Sequence, residues 1–418
     1  MPSLGSVFPD FGSPGRDPIS RACRLHAQAS DHHDRGNLRV ARRLAARAQA
    51  LLERHAGRSH PDVANVLLAS ALIDEDLGRY GLAQSKVRRA MTILRPLRGD
   101  RAFSVLRAQA YEQAGSLAIV RGQYGIARRA YGHARAIAMR SLGPSELATS
   151  TTGLGVVHKY LGRFAQAARL YRRALSQVRR KRGPADVAIA SILHNLGGLE
   201  HARGRFALGE RHARRAVALR ERALGVDHPT VAADKTALAA LLDAQGGRKR
   251  IEAEALYRQG IDVFRRKLGK THFEVGFNLG QLAALCQASG RLDEAAGLYA
   301  QALRIQRRAL GRRHPVLART LANLAALRRE QGRLVEAMDC YREALGMYRR
   351  VLGARHPDTR GCSAAAEAVR RHLPCNKHAP ALRLRPRPEI TEANGRRHPV
   401  TREAGGWCSS SRHESGGA

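Results

Sequence analysis

Aromatic residues make up only 5% of this 418-residue chain. Together with sparse β-branched residues and abundant Ala, Leu and Arg, that argues against a sheet-built core and favours helices. Cysteine pairs are missing too. Cys23, Cys286, Cys340, Cys362, Cys375 and Cys408 are scattered, with no C-x-x-C pair and no Cys/His spacing suited to a tetrahedral metal. They read as reduced thiols, and no metal or cofactor is expected. No apolar run approaches the roughly 18 residues a membrane helix needs, and Met1–Ser20 contains Pro, Gly and Asp but no apolar signal core. The expected setting is the cytoplasm, without a membrane partner.

Acidic residues are scarce: 35 Asp and Glu face 73 Lys and Arg, a formal charge of +38. A cationic surface gains affinity for phosphates by releasing their counterions. Lysine is scarce as well, however, with 8 Lys against 65 Arg. GC-rich coding produces that skew on any exposed helix, so solvated arginines on outer faces rank ahead of a binding patch.

What the chain does contain is a repeat. Residues 272–313 laid over 314–355 share His, a first apolar helix, Gly-Arg-Leu, and a second apolar helix closed by Leu-Gly. The turn glycine recurs at Gly36, Gly78, Gly122, Gly162, Gly204, Gly247, Gly290 and Gly332, at intervals of 42, 44, 40, 42, 43, 43 and 42 residues. Such a period signifies stacked supersecondary units. Leu317, Leu321, Leu324, Ala325 and Leu327 carry helical spacing before Gly332, and Leu334, Ala337, Tyr341, Ala344, Leu345, Tyr348 and Leu352 carry it after. These are helices A and B of one unit. Gly143, Gly225, Gly269, Gly311 and Gly353 stand where a left-handed residue ends helix B. His60-Pro61, His228-Pro229, His314-Pro315 and His356-Pro357 put proline at the first helical position, where its missing N–H costs nothing. Ala83, Ala127, Ala167, Ala295 and Ala337, five residues after the turn, let helices approach, and Tyr171, Tyr299 and Tyr341 fill the space beside them.

The set His314-Pro315, Leu321, Leu324-Ala325, Gly332-Arg333, Glu336-Ala337, Tyr341 and Ala344-Leu345, with parallel sets around Gly162 and Gly290, resembles the tetratricopeptide repeat in the 42-residue variety of kinesin light chains. The resemblance covers roughly 17–373. It implies an all-α, right-handed superhelical solenoid of antiparallel helix pairs, about seven repeats plus a capping helix over 357–373. In such a fold the A helices line a concave groove that takes peptides of partner proteins. No heptad coiled coil of the kinesin light chain kind precedes Gly36.

Residues 1–16 and 374–418 are expected to be disordered, the latter a basic tail in which Pro380, Pro386 and Pro388 interrupt the eighth helix B. Gly395-Arg-Arg-His-Pro-Val400 nevertheless reproduces Gly311-Arg-Arg-His-Pro-Val316. Two irregular copies stand out: the second carries Ala114 for a consensus leucine, and the fifth has an extra residue within Gly247–Ile251 and Lys235 at an apolar position.

The ninth residue after the repeat's His holds Gln113, Asn195, Gln281 and Asn323 in four copies. The resemblance places an amide there in the groove, where it can both donate to and accept from a peptide backbone. Solvated polar positions explain the same residues equally well. A second reading is nonspecific binding of nucleic acid or another polyanion along the B helices. Its ladder comprises Arg128, Arg129, Arg172, Arg173, Arg179, Arg180, Lys181, Arg182, Arg214 and Arg215. No aromatics interleave with these for base stacking.

Gly153-Leu-Gly155 lacks the third glycine and the strand of a dinucleotide fingerprint and reads as packing. Asp31-His-His-Asp34 points its side chains in different directions. His194 and His201 are about 10.5 Å apart by helical rise, too far for one metal ion. With no Walker motif, nucleophile elbow or zinc-protease signature, no catalytic residue is assigned.

Overall fold

The computed structural model describes residues 17–97, 100–183 and 187–372, apart from the Arg182 side chain. The expectations for 1–16 and 374–418 lie outside the described residues. Within them are seventeen α-helices and no strand: α1 (Pro18–Asp34), α2 (Leu38–His55), α3 (Pro61–Asp76), α4 (Tyr80–Leu94), α5 (Arg101–Val120), α6 (Tyr124–Ser141), α7 (Pro144–Tyr160), α8 (Phe164–Arg182) and α9 (Ala188–Ala202), then α10 (Phe206–Leu224), α11 (Pro229–Asp243), α12 (Lys249–Lys267), α13 (Phe273–Ala288), α14 (Leu292–Leu310), α15 (Pro315–Glu330), α16 (Leu334–Val351) and α17 (Pro357–His372).

Odd helices are A and even helices are B. Eight pairs precede the capping helix α17, one more than the seven expected. The extra pair, α1–α2, has no His-Pro lead. Its Asp17 caps α1 instead, accepting from Ile19 and Ser20 N–H at 2.9 and 3.0 Å. The extra residue of the fifth copy also finds its place: Gly246 (φ +72°) takes the turn position and Gly247 (φ +57°) follows it in the same left-handed region. Residues with a Cβ rarely adopt this region, so the inserted residue is absorbed in the turn without breaking α12.

The alanines five residues past the turn, Ala83, Ala127, Ala167, Ala295 and Ala337, are all 0% exposed, and Tyr171, Tyr299 and Tyr341 are buried beside them. Each A helix packs on its own B helix, on the preceding B helix and on the next A helix, whereas no described B–B pair packs comparably. Small inner elements and splayed outer ones curve the stack. The A helices therefore form the inner face of a right-handed superhelix and the B helices its outer face.

Successive superhelical turns are joined by one histidine at the start of each of α11, α13, α15 and α17. His228, His272 and His356 hydrogen-bond through Nε2 to the carbonyls of Asp34, Asp76 and Tyr160 at 2.9, 2.8 and 2.8 Å, and His314 does the same to Val120. Each carbonyl stands two residues before a turn glycine, at the end of an A helix where backbone acceptors lack intrahelical partners. Nδ1 of each ring accepts the N–H two residues on, at 3.1 to 3.2 Å. That role assigns the proton to Nε2, so one neutral ring caps its own helix and donates to the previous superhelical turn. The pairs are 194 or 196 residues apart, about four and a half repeats of the 42-residue unit per turn.

Histidine occurs at the N-cap wherever an earlier turn is there to be reached. The caps of α1, α3, α5, α7 and α9 are Asp17, His60, Asp100, Gly143 and Val187, and only His60 shares the residue type. The prolines contribute as well. A Cβ on Gly36, Gly122 or Gly162 would lie 3.0, 3.1 or 3.2 Å from the Cδ of Pro229, Pro315 or Pro357, so these glycines supply clearance as well as positive φ.

Burial lowers the pKa of His228, His272 and His314, the last to about 4. Between the unfolded value of 6.5 and the folded value, the unfolded chain binds more protons than the folded one. This contribution is complete above pH 6.5 and is lost as the pH falls toward 4. Half-buried Glu75, Glu112 and Glu274, raised to about 7 by desolvation, act in the opposite sense, so a difference between two proteins is the informative quantity. His314→Asn keeps a good cap but cannot reach Val120. It should lower stability by about 1 kcal/mol at pH 7.5, with the gap narrowing from pH 6.5 to 4.5 in denaturant titrations. A gap independent of pH would exclude the neutral imidazole as its source.

Candidate functional site

The four amides stand on four different A helices and do not converge. Gln113 on α5 donates from Nε2 to the Leu68 carbonyl of α3 at 3.0 Å, and Asn195 on α9 donates from Nδ2 to Ser191 one turn earlier at 2.8 Å. Gln281 on α13 and Asn323 on α15 lie near Tyr257 and Tyr299 of the preceding B helices α12 and α14, and the Tyr299 hydroxyl donates to Gln287 Oε1 at 3.1 Å. All four are half-buried. Gln113 thus ties neighbouring repeats together, Gln281 and Asn323 face the preceding repeat, and Asn195 bonds within its own helix.

On α7 the same repeat position is held by Gly153, 42 residues before Asn195. Tyr131 of α6 lies between Gly153 of α7 and Gly115 of α5, where a built Cβ would fall 2.1 and 2.6 Å from its ring. Gly155 makes the same room for Tyr171, at 2.5 Å. The glycines of α7 are packing residues, as their sequence context suggested, and their partners are tyrosines of the neighbouring B helices. Gly153→Ala should destabilise by about 1–3 kcal/mol through overpacking, although helix propensity alone would favour Ala by about 1 kcal/mol. Equal or higher stability by urea titration would show that the Tyr131 ring yields freely.

Charge enters the inner face at three points. The pKa of His201 on α9 is lowered first by burial and then by the charges of Arg319 on α15 and Lys159 on α7. Three A helices therefore bring cationic or protonatable groups to one region. Arg319 is exposed while Leu317, Ala318, Thr320 and Leu321 around it are buried, and its guanidinium lies 5.0 Å over the Phe277 ring. Lys159 Nζ lies 5.0 Å from the Tyr160 ring, which stacks on Tyr124 at 5.2 Å. The available signal was a lone charge within an otherwise apolar A-helix stretch.

Other polar groups are committed to structure. Arg220 forks onto Asp234 at 2.7 and 2.8 Å and donates to Ser191 Oγ at 2.6 Å, while His194 Nδ1 meets the same Asp234 at 2.7 Å. Lys235, at its nominally apolar position, pairs with Glu221 at 2.8 Å. His33 Nε2 contacts Asp76 at 2.7 Å, which gives the Asp31–Asp34 stretch a role between α1 and α3. No group of His, Cys, Asp and Glu among the described residues could hold a metal ion.

The arginine ladder divides at α10. Arg128 and Arg129 on α6 and Arg172, Arg173, Arg179, Arg180 and Lys181 on α8 are exposed and form no ion pair with a described acid. The Arg182 side chain lies outside the described residues. Arg214 is held by Glu210 at 3.1 Å and by Glu252 at 2.9 and 3.1 Å, and Arg215 is also engaged.

The family profile of the tetratricopeptide repeat matches residues 106–180, 188–266, 248–307 and 274–350, together more than half of the chain. The chain belongs to the tetratricopeptide repeat family. Among solved tetratricopeptide-like structures, a Rap protein complexed with Competence and Sporulation Factor is 12% identical with a TM-score of 0.55, covering 84% of this chain and 98% of its own. The Rap conjugation gene regulator of the plasmid pLS20, in complex with the Phr* peptide, is 17% identical with a TM-score of 0.56, covering 79% and 95%. BtubC from P. vanneervenii is 24% identical with a TM-score of 0.40, covering 59% and 94%. No curated protein matches the chain. No described helix of this tetratricopeptide-repeat protein is long and apolar enough to cross a membrane.

Proposed function

We propose that this protein is a cytoplasmic interaction scaffold without catalytic activity, holding acidic segments of partner proteins on the inner face of its A helices. The observation that carries this reading is the convergence of Lys159, His201 and Arg319 from α7, α9 and α15. A cationic region inside a repeat superhelix suits carboxylates, and Phe277 and Tyr160 beside it offer apolar contact. Asn195, bonded only within its own helix, is the amide best able to turn toward a ligand's peptide backbone. Two Rap structures of the same fold are complexes, one with Competence and Sporulation Factor and one with the Phr* peptide, and they support a protein or peptide ligand.

The test is affinity capture from the native cell's lysate after nuclease treatment, across a salt series, with mass-spectrometric readout. Wild type should retain a discrete protein. The Asn195→Ala, Arg319→Ala double variant should bind the purified partner roughly tenfold or more weakly, because charge-assisted hydrogen bonds contribute about 1.5–3 kcal/mol. Unchanged affinity with unchanged helicity would remove the inner face from the site.

A further inference from the structure

The outer helices of the solenoid are sorted by charge in a way that uniform arginine enrichment does not produce. The B helices α4, α6 and α8 contain no Asp or Glu at all, and α2 contains only Glu53. The later B helices carry two or three acids each: Glu210 and Glu221 on α10, Glu252, Glu254 and Asp262 on α12, Asp293 and Glu294 on α14, and Glu336, Asp339 and Glu343 on α16. Coding bias toward arginine would load every outer helix, but it would not strip acids from consecutive helices of one superhelical turn and keep them in the next.

Ion pairs on the outer face gather where those acids are. Arg258 bonds to Glu254 and Glu294 at 2.6 and 3.1 Å, Arg307 to Glu343 at 3.3 Å and Arg342 to Asp339 at 2.7 Å. On the first turn, Arg89 pairs with Glu53 at 2.6 Å and Lys86 with Asp74 at 2.6 Å, while Arg42, Arg43 and Arg47 on α2 and Arg88 on α4 are exposed and form no ion pair with a described acid. On α6 and α8 the cations Arg128, Arg129, Arg140, Arg169, Arg172, Arg173, Arg179, Arg180 and Lys181 are exposed and meet no described acid. From Arg128 to Arg140, and again from Arg169 to Lys181, the row runs about 18 Å along its helix. Over that length a nucleic-acid duplex presents on the order of ten phosphate charges.

We propose that the outer face of α6 and α8 is a docking surface for the phosphate backbone of double-stranded DNA, bound without regard to sequence. Guanidinium groups match phosphate oxygens in bidentate fashion, and charge complementarity is the basis of the assignment. A duplex is the form that fits because the aromatic rings of these helices are packed away from solvent: Tyr124, Tyr131 and Tyr171 are 5%, 8% and 0% exposed, and Phe164 packs against the core. This inference is independent of the inner-face reading and involves other residues.

The experiment is fluorescence anisotropy of a labelled mixed-sequence 30-base-pair DNA with the full chain, between about 0.05 and 0.3 M salt. Two quadruple variants are compared, each removing four exposed arginines and so leaving the same net charge: Arg128→Ala, Arg129→Ala, Arg172→Ala, Arg173→Ala, and Arg307→Ala, Arg308→Ala, Arg349→Ala, Arg350→Ala. The first should bind at least about tenfold more weakly at 0.1 M salt, with a salt slope shallower by about 3–4. The second should stay within about threefold of wild type, with circular dichroism unchanged for both. Equal losses would make net charge the whole cause and overturn the proposal, as would the absence of wild-type binding at about 0.15 M salt. Polyglutamate or phosphatidylserine vesicles that displace the DNA at equal charge concentration would overturn it in favour of an acidic protein or a lipid surface.

Discussion

The bond between successive superhelical turns is the constraint on which the rest of the architecture rests. A helix end leaves carbonyls without partners, and in a solenoid these ends line up along one edge of every turn. Here the orphan acceptors of Asp34, Asp76, Val120 and Tyr160 receive the Nε2–H of His228, His272, His314 and His356. Because Nδ1 of the same ring accepts the cap N–H, the tautomer is set by the helix the histidine begins. One residue type therefore starts an A helix and sets how tightly the superhelix winds, and glycine opposite proline leaves the edges room to meet.

Winding of that kind demands close inner packing. Buried alanines after each turn and glycines facing Tyr131 and Tyr171 bring the helices together, and the amide of Gln113 joins adjoining repeats. The irregular stretch around α10 and α11 reaches the same end by other means. Asp234 is shared by Arg220 and His194, and Lys235 meets Glu221. A buried charge is tolerated only when paired, and the fifth and sixth pairs carry their paired charges at one joint.

The surfaces left over differ in kind. The A helices bring Lys159, His201 and Arg319 toward one region, whereas the outer face divides into a second turn whose B helices carry acids and the acid-free α6 and α8 of the first. The two sets of cations stand on different helices with different neighbours. A single net charge for the whole chain conceals that division.

The repeat period, the helix pairs, the capping prolines and the buried alanines were legible in the sequence because each depends on residues within one 42-residue unit, where helical periodicity and cap chemistry are local. The amides at the ninth position were visible as a pattern. Their direction was not, because it depends on Tyr257 and Tyr299 in the preceding unit. Lys159, His201 and Arg319 were not visible as a group because they lie on the A helices of three different repeats. The histidine contacts span 194 to 196 residues, a separation fixed by the winding of the superhelix and by no feature of a single repeat. The sequence alone thus determined the unit and its number of copies to within one. Tertiary structure decided which units touch and which charges remain unpaired, because packing angles summed over several repeats set both.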